Sequence, residues 1–163
     1  MQVVGHPLEC DLMVQFRWAV PELIRHLGVS NVSGEQIAAA QSIAPVVAVQ
    51  NFYNLAVRAD DALVDQCAEQ GIAFVPFFPL GGFRPPQSGV LDKVAAGLGI
   101  SRMQVALAWL LQRSPTILLI PGTSSVAHLR ENAGAAGVEL PAEAVAALNA
   151  VGTADRFAPG EQR

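Results

Sequence analysis

Four short clusters in this 163-residue chain carry side chains able to hold a polar ligand: Gly28-Val29-Ser30-Asn31, Gln50-Asn51-Phe52-Tyr53-Asn54, Pro76-Phe77-Phe78-Pro79-Leu80-Gly81 and Ile120-Pro121-Gly122-Thr123-Ser124-Ser125. Ser30, Asn31 and Gln50 offer one hydroxyl and two amides, groups that both donate and accept hydrogen bonds. The competing reading of Ser30 and Asn31 is a turn that caps the next helix, a frequent use of these residues. Phe77 offers a π face, useful against a flat ring or as a core aromatic at a strand end. A helix opening just after Gly122-Thr123-Ser124-Ser125 presents free backbone N–H groups and the positive end of its dipole, which suits a phosphate.

Each cluster follows a short apolar run and precedes a helical pattern. Parallel strands therefore bring all four to the carboxyl edge of one sheet, where α/β proteins place their ligand sites. The runs predict strands over residues 24–29, 46–49, 72–75 and 117–120. Ser33 and Gln36 have the spacing of a capping box for a helix over 34–43, which Pro45 ends. Asp60 and Asp61 place negative charge at the start of a helix over 61–70, stopped by Gly71, with Leu63 and Cys67 on its buried face. Then come a Pro/Gly-rich loop over 81–89, a short helix over 90–96 with Lys93 on a solvated face, and Ser101 capping an apolar helix through Arg113. Helices over 126–135 and, with Pro141 in its first turn, up to Val151 complete the pattern. Residues 1–21 have weak 3.6 periodicity and fit no element, and 153–163 read as a short tail, which leaves 22–152 as the domain.

Composition excludes several classes. A hydrophobic content of 52% with 15% charge fits strands covered on both faces. The net charge is −4, and one lysine with nine scattered arginines forms no basic cluster to attract a nucleic-acid backbone. Cys10 and Cys67 belong to no CxxC or Cys/His pattern, which points to a reducing compartment, the cytoplasm, and away from a zinc site. Neither an export signal nor a run of about 18 apolar residues for a membrane span is visible. Gly-x-Ser-x-Gly, phosphate-loop and GxGxxG motifs are absent, the Gly97/Gly99 pair stopping short of the last, so hydrolase and Rossmann readings have no support.

In order and spacing, the four motifs resemble the second half of an aldo-keto reductase barrel, over roughly residues 22–151. The chain is well short of the ~250 residues typical of a closed eight-stranded barrel. The resemblance thus implies an α/β fold, a partial TIM barrel of about four βα units with C-terminal helices. It implies a nicotinamide dinucleotide as ligand, NADP(H) ahead of NAD(H). Ser30, Asn31 and Gln50 would bind the nicotinamide carboxamide, and Phe77, where many members have tyrosine, would lie against the ring. The backbone at Phe78 and Leu80 would cradle the pyrophosphate, with Phe78 replacing a common serine. Thr123, Ser124 and Ser125 would surround the adenosine phosphate, and His128, Glu131 and Asn132 would run toward the ribose and adenine. Where many members hold a 2′-phosphate with a lysine and an arginine, this chain has Gly122 and His128. Taken singly, Glu131 and Asn132 read as a solvated helix face.

The same resemblance marks a gap. The family reduces a carbonyl by hydride transfer while a tyrosine, tuned by a lysine–aspartate pair and helped by a histidine, supplies the proton. Those four residues lie on strands earlier than the ones read here. Tyr53, the only tyrosine, falls in a motif used structurally, and Lys93 is the only lysine. His26 reads as a strand histidine that is buried or lies at the barrel base, and His6 lies in the unassigned terminus. The expectation is a C-terminal fragment of an NAD(P)H-dependent oxidoreductase that keeps the cofactor platform, lacks the catalytic tetrad and is inactive alone. The alternatives are a non-catalytic dinucleotide-binding or interaction module, or a product with no stable function. Exposed edges of a parallel sheet favour self-association or docking with a complementing N-terminal half.

Overall fold

In the computed structural model, which describes residues 24–81 and 89–151, three parallel strands lie side by side in chain order: β1 (Leu27–Ser30), β2 (Val46–Gln50) and β3 (Ala73–Phe74). The readings made for residues 1–21, 153–163 and most of the 81–89 loop fall outside the described residues. Pro45 has no N–H to give a ladder, so pairing begins with Leu27 opposite Val46 and ends with Ser30 opposite Gln50. The first strand accordingly starts at Leu27 rather than at residue 24. His26 precedes it and is exposed, which corrects the reading of a strand histidine and rules out its buried form. A Cβ on Gly28 would stand 3.2 Å from the carbonyl oxygen of Ala48. Glycine here permits the close approach of two backbones.

Prolines also shorten the third strand. Val75 donates its N–H to Val49 at 2.7 Å and Phe77 to Asn51 at 3.0 Å, with Phe52 and Phe77 forming a separate parallel bridge. Pro76 between them has no N–H to contribute. The strand read over 117–120 is reduced to one parallel bridge of Ile117 with Phe74, secured by Phe74 N–H to Thr116 O and Leu118 N–H to Phe74 O, both 2.9 Å. A partner as short as β3 offers no longer ladder, and Leu118 and Ile120 are exposed.

The helices follow their local signals closely. Ser33 caps α1 (Gly34–Gln41) in a full capping box with Gln36. Gly71, at φ 67°, ends α2 (Asp61–Gln70), although the Asp60 side chain makes no cap bond. Next come α3 (Gly89–Leu98) and α4 (Arg102–Arg113), which Ser101 and Gln104 cap in a second capping box. Ser125 caps α5 (Val126–Gly134), which runs into a 3₁₀ turn at Ala135–Gly137, and α6 (Ala142–Asn149) closes the series. Pro141 takes the capping position of α6 rather than its first turn.

The core forms around α4, whose residues 105–110 are all buried. A helix covered on every side needs partners on every side. Val49 and Phe74 of the sheet, Leu63, Val64 and Cys67 of α2, Leu91 and Ala95 of α3 and Leu148 of α6 belong to the same cluster. By contrast, α5 buries none of its residues. Among the described residues no single helix is long and apolar enough to cross a membrane; α3 and α4 reach that composition only together, bent by 95°. Because α4 is the hub, Leu110→Ala should lower the unfolding free energy by roughly 2–5 kcal/mol. Exposed Lys93→Ala should change it by under about 0.5 kcal/mol, both read from urea denaturation.

Candidate functional site

Register builds the first part of the site. Ser30 stands opposite Gln50, and the Asn31 N–H continues the pairing to Gln50 O at 3.0 Å. Ser30 and Asn31 are exposed and Gln50 is half-buried. The N-cap of α1 is Ser33, so neither Ser30 nor Asn31 serves as the helix cap. Asn31 has φ 53°, a left-handed conformation that asparagine tolerates. Behind it sits buried Asn51, whose Oδ1 accepts from Val32 N–H at 3.1 Å. Its Nδ2 donates to Val32 O and to Asp60 Oδ2, each at 2.8 Å. Asp60 Oδ2 thus turns toward Asn51, and its side chain makes no bond to the start of α2.

The third cluster joins through aromatic rings. Phe77 stacks on Phe52 at 5.6 Å with the planes 12° apart, and Phe78 meets both edge-on. Phe52 was not among the residues singled out in the sequence, since cross-strand stacking leaves no local signal. Phe78 is half-exposed and has φ 53°, a conformation that costs a bulky residue about 1–3 kcal/mol. Its carbonyl accepts from Asn54 Nδ2 at 3.2 Å and from Gly81 N–H at 2.9 Å. Leu80 is half-buried on the same turn.

The fourth cluster forms a group of its own. The parallel Phe74–Ile117 bridge sends the chain toward the same sheet edge, where Gly122, Thr123 and Ser124 are exposed. Thr123 Oγ1 accepts from Ser125 N–H at 3.1 Å, and Ser125 Oγ accepts from His128 N–H at 3.4 Å. Each hydroxyl keeps its own proton to donate. His128 is exposed, while Glu131 and Asn132 are half-buried along α5.

Tyr53 is occupied elsewhere. It is fully buried, stacks on Trp109 at 6.2 Å and donates its hydroxyl to Asp61 Oδ1 at 2.5 Å. Burial, reinforced by the Asp61 carboxylate, pushes its pKa far above the ordinary phenol range. Arg58 forks onto Asp61 at 3.1 and 2.7 Å. The hydrogen bond from Arg113 holds the Asp65 carboxyl below its usual range, and burial lifts the Cys67 thiol to about 11. Beside this network lies a cavity of about 350 Å³ lined by Arg58, Trp109, Gln112, Arg113, Val145 and Asn149, none of them a candidate ligand residue. Among the described residues no group of His, Cys, Asp or Glu is assembled to hold a metal.

Parallel βα units with polar groups at the carboxyl ends of the strands are shared by barrel proteins of many chemistries, and comparison makes the family specific. The Aldo/keto reductase family model matches residues 23–153. Pyridoxine 4-dehydrogenase of Escherichia coli (strain K12) is 57% identical over 144 residues, covering 88% of this chain and 50% of that protein. A thermostable aldo-keto reductase solved with the inhibitor epalrestat superposes with a TM-score of 0.77 at 31% identity, over 90% of this chain and 56% of that one. The aldo/keto reductase from Klebsiella pneumoniae, solved with NADP and acetate, gives 0.73 at 27% identity, over 89% and 54%. The chain belongs to the aldo-keto reductase family. It spans about half the length of the curated relatives it matches.

Both raised pKa values stabilise the fold only while the groups stay protonated. For Cys67 that contribution is full below its ordinary 9.0 and is lost as pH rises toward about 11; for Tyr53 it is full below 10.0 and is lost above that. Urea unfolding at stepped pH should show stability declining from about pH 9 and falling faster beyond 10. Tyr53→Phe should remove the later part and leave the earlier one.

Proposed function

We propose that this chain is the nicotinamide-dinucleotide platform of an NAD(P)H-dependent oxidoreductase that interconverts a carbonyl and an alcohol. The observation that carries the reading is the pairing of Ser30 with Gln50, extended by Asn31, at the carboxyl ends of adjacent parallel strands in a chain of this family. Hydroxyl and amide groups carried on strand ends whose backbones are paired in register fit a carboxamide, which needs both donors and acceptors. Phe77, backed by Phe52, offers its other face to the nicotinamide ring. The backbone at Phe78 and Leu80 takes the pyrophosphate. Thr123, Ser124 and Ser125, with the opening turn of α5, take the adenosine phosphate, and Gly122, His128, Glu131 and Asn132 border the ribose and adenine. NADP(H) is placed ahead of NAD(H), in line with the NADP of the Klebsiella relative. When bound, the dinucleotide supplies or accepts the hydride; the residues named here bind and orient it.

Among the described residues no tyrosine–lysine pair is assembled to move a proton. Tyr53 is locked to Asp61, and Lys93 is exposed on α3. That observation favours a second reading for the isolated chain, a non-catalytic dinucleotide-binding module. Leu118, Ile120, Val126 and Leu129 are exposed, and among the described residues β1 lies at the sheet edge, which supports either self-association or docking with a complementing N-terminal half. A monomer whose β1 amides are fully protected from hydrogen exchange would count against both. The cytoplasm is the proposed compartment.

Calorimetric titration with NADPH and NADH, beside an absorbance assay with pyridoxine and simple aldehydes, tests these statements. NADPH should bind without turnover, and Gln50→Ala should weaken it about tenfold, or about 1.4 kcal/mol. Failure of both nucleotides to bind overturns the platform; turnover by this chain alone overturns its non-catalytic character.

A further inference from the structure

Among the described residues, the non-glycine positions with positive φ are Asn31 and Phe78, both at 53°, and both belong to the candidate ligand site. Each is tied down by a buried asparagine of one loop. Asn51, 5% exposed, grips both the N–H and the carbonyl of Val32, directly after Asn31. Asn54, 1% exposed, holds the Phe78 carbonyl with Nδ2 at 3.2 Å while its Oδ1 accepts from Ala56 and Val57 N–H, both at 3.0 Å. An amide held from both ends cannot turn to another partner.

We propose that Asn54 is a positioning residue for dinucleotide binding: by holding Phe78 in its left-handed conformation it sets the Phe77–Leu80 backbone in the shape that receives the pyrophosphate, while Asn51 does the same for the Asn31 turn. The inference rests on the dinucleotide reading above. Asn54 touches no ligand in this scheme. Phenylalanine by itself favours negative φ; without Asn54 the Phe78 carbonyl keeps only the Gly81 N–H, and the turn between Phe77 and Leu80 loses the side-chain tie that opposes relaxation toward negative φ. The loop that presents Gln50 thereby also sets its two neighbours on the sheet edge.

Asn54→Asp is the sharpest probe, because it keeps the side-chain shape and the acceptor for Ala56 and Val57 but loses the donor to Phe78. Calorimetry should show NADPH weakened about tenfold in this variant. In a Phe78→Gly background, where positive φ needs no support, the same substitution should change affinity by less than about twofold. Equal weakening in both backgrounds overturns the proposal. Backbone chemical shifts of Phe78 supply a readout independent of any nucleotide. They should leave the left-handed range in Asn54→Asp, and unchanged shifts overturn the proposal even if no nucleotide binds, an outcome that would separately sink the dinucleotide reading. Asn54→Ala, made in both backgrounds, repeats the comparison should the aspartate variant not fold.

Discussion

The buried hydroxyl of Tyr53 donates to Asp61 at 2.5 Å, and the arrangement of the molecule depends on that contact. The ring lies between Phe74 of β3 and Trp109 of α4, so the hydrogen bond is made where the sheet meets its central helix. Asp61 opens α2, where a negative charge also suits the helix dipole. The same carboxylate receives the fork of Arg58, whose guanidinium lies 5.1 Å from the Trp109 ring centre and reaches Asn149 O at 2.9 Å. One acid thus joins the loop after β2 to α2, α4 and the end of α6. A buried phenol without that partner would carry the full cost of an unsatisfied polar group.

The anchored loop is also the one that reaches the sheet edge proposed to hold the dinucleotide. Its first residue pairs with Ser30, its second binds the turn after β1, its third stacks on Phe77, and its last holds Phe78. Tyr53 fastens this same stretch to the core from below. Rigid support of this kind lets exposed polar groups keep a fixed geometry without a large local core. It also separates two roles in chemical terms: Ser30 and Asn31 stand exposed at the strand ends, whereas the single phenol is buried and committed to structure.

Legibility along the chain varied with the range of the interaction. Both capping boxes lie within four residues, so Ser33 with Gln36 and Ser101 with Gln104 mark their helices locally, and Gly71 at φ 67° marks the end of α2 for the same reason. Strand lengths were harder to read, because a ladder ends where either partner runs out. Pro45 delayed β1, Pro76 cut β3, and the apolar run after Thr116 kept a single bridge. At the site, the order of the four clusters was legible, and the Ser33–Gln36 capping box already placed the helix cap beyond Ser30 and Asn31; the left-handed backbone of Asn31 was not legible.

Helix positions, the parallel order of the strands and the chemical types gathered at one sheet edge followed from the chain alone, because each is set by neighbours within a turn or by the direction in which the chain must return. The stacking of Phe52 on Phe77, the left-handed backbone of Phe78 and the burial of Tyr53 against Asp61 were settled only in the folded molecule. Those features join residues on different strands and helices, and no pattern within a single segment encodes the distance between them.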